Sequence, residues 1–219
     1  MLIAVETSTD YGSIAIGRGA ELVGEVVIGA RSRHAESLLP ALDFLMRSAR
    51  IARREIRGVV IGAGPGSFTG VRVAAATARG LAAGLDVPLY AYSSLASLAV
   101  EAAALNTVCA VFDARRGEVY AACYQREENR DRLRTLLEPE ALPAAELPAR
   151  TAAMNATYLG DGARRYAAVL GIAPPPPAFP RAAGLLRLAA ADPDGGLIRE
   201  KAWEPMYLRS SGAERGVAG

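Results

Sequence analysis

The chain has 219 residues, 51% hydrophobic and 22% charged, with a formal net charge of +2. That length suits one large domain or two small ones and can bury a real core, and the composition is that of an ordinary soluble globular protein. No window is long and apolar enough to span a bilayer, and the balanced charge supplies no whole-molecule field for nucleic acid. Met1-Leu2-Ile3-Ala4-Val5 runs straight into Glu6 without a basic stretch, so the start reads as a first strand rather than a signal peptide, and a cytoplasmic location is expected.

Leu2 to Val5 is expected to be a buried strand, followed by a turn over Thr7 to Gly12, a second strand over Ser13 to Gly17 and a third over Glu21 to Ile28. An amphipathic helix from about Arg33 to Arg50 comes next, with Ser32 as its cap and Leu38, Leu39, Leu42, Leu45, Met46 and Ala49 at helical spacing. Pro40 either kinks this helix or moves its start to about Ser37. Arg47, Arg50, Arg54 and Arg57 recur near one face, where solvation and contact with RNA phosphates are the two readings. Val59 to Ile61 reads as a fourth strand, Ser67 to Gly84 as an Ala- and Gly-rich helix, Pro88 to Ala91 as a short fifth strand, and Ser93 to about Leu105 as a third helix.

In the second half, Thr107 to Phe112 and Glu118 to Tyr124 read as strands around Asp113-Ala114-Arg115-Arg116-Gly117. Arg126 to Arg134 reads as an exposed mixed-charge loop, and the Ala- and Pro-rich stretch after it as helix and loop. Tyr158 to Gly160 reads as a strand, Pro174 to Pro177 as a stiff extended segment, and Arg181 to Ala191 as the last helix. Trp203 to Arg209 precedes a small polar tail expected to be disordered.

The densest signal is Gly62-Ala63-Gly64-Pro65-Gly66-Ser67-Phe68-Thr69-Gly70-Val71-Arg72, a sharp turn from strand to helix. Free N–H groups at the helix start can hold an anion, or the turn simply seats the helix on the sheet. The run fits neither common phosphate fingerprint: it has no Lys before a Ser or Thr, and Ser67 and Thr69 stand where the dinucleotide pattern needs Gly. Cys109 and Cys123 match no metal or redox spacing and read as buried reduced thiols. One histidine, His34, rules out a multi-histidine metal site, and its place near a helix start argues against a Ser-His-Asp triad. No catalytic or metal-binding residue is therefore expected.

The strand-turn-strand opening and the order of elements after it resemble the actin-like ATPase (ribonuclease H-like) fold of sugar kinases and Hsp70 chaperones. This implies an α/β protein of two subdomains with mixed sheets flanked by helices, here residues 1–105 with the partner-binding helices and a smaller 106–219. In that superfamily the first hairpin binds phosphate and a nearby carboxylate helps to hold a metal. Glu6, Thr7, Ser8, Thr9 and Asp10 occupy that hairpin and are the nucleotide-binding candidates.

Leu2 to Thr9, His34-Ala35-Glu36-Ser37-Leu38-Leu39-Pro40, the loop from Gly64 to Arg72, Ser93-Ser94-Leu95, Asp113 to Tyr120 and Pro205 to Arg209 together are similar to the bacterial threonylcarbamoyladenosine biosynthesis family TsaB, also called YeaZ. The similarity covers most of the chain and is thinnest from about Arg126 to Asn155. It implies a part in tRNA modification: transfer of a threonylcarbamoyl group to N6 of the adenosine next to the anticodon, in tRNAs reading codons that begin with A. In that family TsaB is a non-catalytic scaffold that binds the paralogue TsaD, which carries a His-x-x-x-His metal motif, and works with the ATPase TsaE. The first two helices pair with those of TsaD, or with a second TsaB copy when TsaB is alone. Carried over, the interface residues are His34, Leu38, Leu39, Leu42, Met46, Thr69, Arg72, Ala75 and Arg79. tRNA is reached through the complex, no membrane is involved, and ATP or ADP with Mg at the complex interface is the candidate cofactor. Glu6 stands where the family has Asp, and Gly160-Asp161-Gly162 is the one candidate adenosine motif. The alternatives are an actin-like enzyme that binds or hydrolyses ATP on its own and a peptidase, which would need a metal or a nucleophile with its base.

Overall fold

The computed structural model describes residues 1–29, 34–127, 132–198 and 203–208. Strands β1 (Leu2–Glu6), β2 (Gly12–Arg18) and β3 (Glu21–Ile28) form an antiparallel meander. Strands β4 (Gly58–Gly62) and β5 (Leu89–Tyr92) add to it in parallel, in the order β3-β2-β1-β4-β5. Helices α1 (His34–Ser48) and α2 (Phe68–Leu85) cover one face, over Ile3, Val5, Ile14, Ile16, Val59 and Ile61. Helix α7 (Ala182–Ala191) covers the other, over Ala4, Ala15 and Val60. Strands β1 and β4 are apolar at successive positions because both of their faces are buried.

Helix α1 begins at His34 and runs through Pro40, so the later start near Ser37 is not adopted. Ser32 lies outside the described residues, as does the side chain of His34. The inner face of α2 is Gly70, Val71, Ala74, Ala75, Ala78 and Ala82, small residues that let the helix lie close to the sheet. The helix stops where Asp86 takes a left-handed conformation (φ 53°) and its N–H returns to Ala82.

The second sheet has the order β8-β7-β6-β9, from β6 (Thr107–Arg115), β7 (Glu118–Arg126), β8 (Leu133–Pro143) and β9 (Thr157–Leu159). Helix α3 (Ser94–Glu101), which ends before the expected Leu105, packs on its inner face with Leu188 of α7. The short helices α4 (Leu147–Thr151), α5 (Asp161–Arg165) and α6 (Ala167–Leu170) belong to its outer side, where Leu147, Ala163 and Leu170 join the apolar cluster of Cys109, Val111 and Cys123. Helices α3 and α7 meet between the sheets, where a Cβ on Gly184 would stand 2.4 Å from the Ser97 carbonyl oxygen. Arg181 precedes α7 and pairs with Glu25 of β3 and Glu101 of α3. Thus α7, from beyond residue 105, completes the layer over the first sheet.

Strand β8 falls where helix and loop were expected. It is an edge strand, which tolerates Pro and charge, and its register against β7 jumps from Glu140 to Leu137, taking Pro139 out of the ladder. Cys109 and Cys123 face each other across β6 and β7 as fully buried free thiols. Their mutual hydrogen bond and burial hold the Cys109 thiol far above its ordinary pKa, so it stays neutral.

Candidate functional site

Glu6 ends β1 with its side chain fully buried. Its Oε1 accepts the Ser8 N–H at 2.7 Å and its Oε2 the Ser94 hydroxyl at 2.8 Å. Burial raises its pKa, and the hydrogen bonds from Ser8 and Ser94 offset only part of that. Ser94 also accepts the Gly64 N–H at 3.2 Å and donates its own N–H to the Gly64 oxygen at 2.9 Å. The first residue of α3 therefore ties the hairpin to the glycine loop, a role its sequence position did not reveal.

The loop closes directly on the hairpin. Ser67 N–H donates to the Ser8 oxygen at 2.7 Å, and the Thr7 hydroxyl donates to the Gly70 oxygen at 2.7 Å. A Cβ on Gly62 would lie 1.9 Å from Glu6 Oε2, one on Gly66 2.3 Å from the Ser8 oxygen, and one on Gly70 2.0 Å from the Thr7 oxygen. Of the two readings of this run, packing is the one these contacts serve: Gly66 and Gly70 admit the backbone of the Thr7-Ser8 turn, and Gly62 admits the Glu6 carboxylate. The Ser67 N–H at the helix start is spent on Ser8, and the Gly70 N–H faces the Ser67 hydroxyl at 3.5 Å. Thr9 is buried, Asp10 is exposed, and the buried Ser8 hydroxyl lacks a hydrogen-bond partner among the described residues. Both Glu6 oxygens are engaged within the chain, so this carboxylate does not fit the role of a free metal ligand.

The segment Trp203 to Leu208 lies along the same loop, with Met206 N–H donating to the Ala63 oxygen at 2.8 Å. Arg72 stacks on Phe68, 3.7 Å from the ring centroid, and its Nε reaches the Tyr207 hydroxyl at 3.3 Å. Arg79 donates to the Trp203 carbonyl and lies 5.6 Å from the centre of that ring. Both arginines of the expected interface thus engage their own chain.

The other interface candidates divide by depth. Leu38, Leu42 and Ala75 belong to the core beneath the helices, at 0%, 5% and 7% exposure. Leu39 and Thr69 are exposed and Met46 is half-buried. Phe44, not singled out in the sequence, is the most exposed large apolar residue in the described chain at 62%. Its position off the 38, 42, 45 stripe was the available signal. Between the C-terminal halves of α1 and α2 runs a groove of about 590 Å³, lined by Leu42, Met46, Ile51, Leu81 and Leu85 with Arg47 and Arg50 among its charged residues.

The second hairpin, between β6 and β7, is built on charge. Asp113 Oδ1 accepts the Arg115 N–H at 2.8 Å and the Tyr166 hydroxyl at 3.0 Å, while Oδ2 faces Arg115 at 3.4 Å and Arg165 at 3.5 Å. Gly160 and Gly162 press on β6, with Cβ positions 2.2 Å from the Val111 oxygen and 2.6 Å from the Phe112 carbonyl carbon, so this run too serves packing. Asp161 between them has a raised pKa, first from burial and then from the nearby charges of Asp113 and Asp10. Among the described residues no group of three or more His, Cys, Asp or Glu side chains is placed to hold a metal.

Two sheets enclosing α3 and α7, with a first hairpin locked by a glycine loop, define a domain of the actin-like TsaD class. Residues 26–160 match the family described as "TsaD: tRNA N6-adenosine threonylcarbamoyltransferase". Within that class the chain belongs to the TsaB (YeaZ) family. It is 32% identical to YeaZ from Pseudomonas aeruginosa, with a TM-score of 0.80 over 94% of this chain and 99% of that one. It is 34% identical to the Bacillus subtilis tRNA threonylcarbamoyladenosine biosynthesis protein TsaB over 57% of this chain and 55% of that protein. An uncharacterized Mycobacterium tuberculosis protein is 33% identical over 97% of this chain and 93% of its own length. The chain thus spans about half the length of the named TsaB relatives it matches, and nearly all of the YeaZ structure.

Proposed function

We propose that this chain serves threonylcarbamoyladenosine formation on tRNA as a non-catalytic subunit that binds and positions TsaD, together with TsaE. The observation that carries this reading is the exposed side of α1, where Leu39 and Phe44 stand out at 53% and 62%, with Leu39 at the groove between α1 and α2. Exposed aromatic and aliphatic anchors on a helix that also borders a groove suit a helical partner. The first hairpin supports the non-catalytic part: its carboxylate and glycines are consumed in holding the fold together. The same face is the one proposed to pair two copies when the chain is alone.

The test is light scattering on the chain alone and mixed with TsaD. A heterodimer that replaces a homodimer is expected, lost in Phe44→Asp and Leu39→Asp with the melting temperature unchanged. Wild-type affinity in both variants would sink the reading. Leu42 and Ala75 are unsuited to this test, because a charge there enters the core. One observation favours a second reading, nucleotide binding by the chain itself: the buried Ser8 hydroxyl in the hairpin turn has no hydrogen-bond partner among the described residues. Calorimetry with ATP and Mg separates the two, and an absence of heat removes the second.

A further inference from the structure

The end of the first sheet away from the glycine loop carries a cluster of arginines that the hairpin, the groove floor and the C-terminal segment do not use. Leu2 pairs with Gly17 on one side and Gly58 on the other, so Arg18 and Arg57 flank the start of β1. Arg50, Arg53 and Arg54 precede Arg57 in the connection from α1 to β4, the last two in a single 3-10 turn. All five are exposed. Residues 47–57 hold five arginines against one glutamate, so this short stretch exceeds the net charge of the whole chain.

Most of this charge lacks a partner. Arg47 pairs with Asp43 at 2.9 Å, but none of Arg18, Arg50, Arg53, Arg54 and Arg57 forms a salt bridge among the described residues. Arg57 turns to the carbonyl oxygens of Arg54 and Ile56. Of the neighbouring acids, Glu55 accepts the Ala52 N–H at 2.8 Å and Glu21 lies opposite Arg18 in the β2–β3 register. The frame is rigid, since Arg57 N–H is bonded to the Met1 oxygen at 2.8 Å. Ile51 and Ile56 between the arginines are buried, so the stretch offers no apolar wedge to a bilayer. Guanidinium forks on such a frame suit phosphodiester oxygens, which they bind in pairs.

We propose that this end of the sheet contacts the RNA backbone directly, beside the α1–α2 groove. The choice of RNA over other polyanions rests on the function proposed above. The experiment titrates the full chain into fluorescent tRNA at about 50 to 200 mM salt and follows anisotropy. The variant Arg50→Gln/Arg53→Gln/Arg54→Gln is expected to bind about tenfold or more weakly, with a log–log salt slope smaller by up to about three. Arg134→Gln, on the edge strand of the other sheet, is expected to bind as wild type. If the triple variant melts early, Arg18→Gln and Arg54→Gln, on separate elements, are each expected to cut the slope by about one. Equal binding by wild type and the arginine variants overturns the proposal, as does binding to phosphatidylserine vesicles without binding to tRNA. TsaD mixing separates the two proposals: a triple variant that keeps TsaD but loses tRNA supports this one. A triple variant that loses TsaD assigns the arginines to the protein interface and overturns it.

Discussion

The two hairpins, β1–β2 and β6–β7, each carry a carboxylate near their turn, and they hold it by different means. Glu6 is buried and receives neutral donors from Ser8 and Ser94, under a loop whose glycines press on its carboxylate and on the backbone of Thr7 and Ser8. Asp113 is held by Arg115, Arg165 and Tyr166, and both arginine side chains are more than half exposed. The first joint depends on shape and desolvation, the second on charge near water. One is therefore intolerant of a single added atom, and the other gives way by degrees.

The sharpest test adds that atom. In Gly70→Ala the new carbon meets the Thr7 oxygen at 2.0 Å, backbone against backbone, and a loss of about 3 kcal/mol or more is expected from urea midpoints. Ser94→Ala removes one donor to Glu6 and the acceptor of the Gly64 N–H, and is expected to cost about 1–3 kcal/mol. Gly117→Ala, in the second hairpin, has open space around it and fails only through its φ of 82°, for about 1–2 kcal/mol. Comparable losses in the two glycine variants would break the contrast between the hairpins.

Acid titration sharpens it further. Because Glu6 has a raised pKa in the fold, the native state keeps its proton to higher pH than the unfolded chain. Its contribution is greatest below the ordinary value of 4.5 and is lost as pH rises towards the raised one. Glu6→Gln removes this dependence, so the stability of the variant relative to wild type is expected to improve across that window. A difference that stays flat with pH would show that Glu6 is not the group responsible.

Much of the first half was legible because β1, β2 and β4 carry apolar runs between turn residues, and α1 and α2 carry helical spacing. The glycine run was legible as a tight turn but not in its purpose, since the groups that fill it come from Thr7 and Ser8, about sixty residues earlier. Strand β8 was hidden by the prolines and charges that an edge strand accepts. The engagement of Arg72 by Tyr207 spans 135 residues and leaves no local pattern. The depth of Leu42 and Leu39, three positions apart on one apolar helix, depends on how α1 sits on the sheet, which spacing alone does not fix.

The smallest expected effect is that of Asp113→Asn. The change strips the counter-charge from Arg115 and Arg165, but both arginines reach solvent, so the stability cost is expected to stay within about 1 kcal/mol. A second consequence is more specific. The Asp113 charge helps to hold the Asp161 carboxyl above its ordinary range, and its removal is expected to bring that pKa down. Burial is the larger cause and remains, so the fall is partial. Carboxyl-resolved NMR titration of wild type and variant reads this directly. An Asp161 pKa that does not move would mean that the two carboxylates are screened from each other. In that case Asp113 and Asp161 act singly, and the contrast between a dry joint and a charged one would rest on the arginines alone.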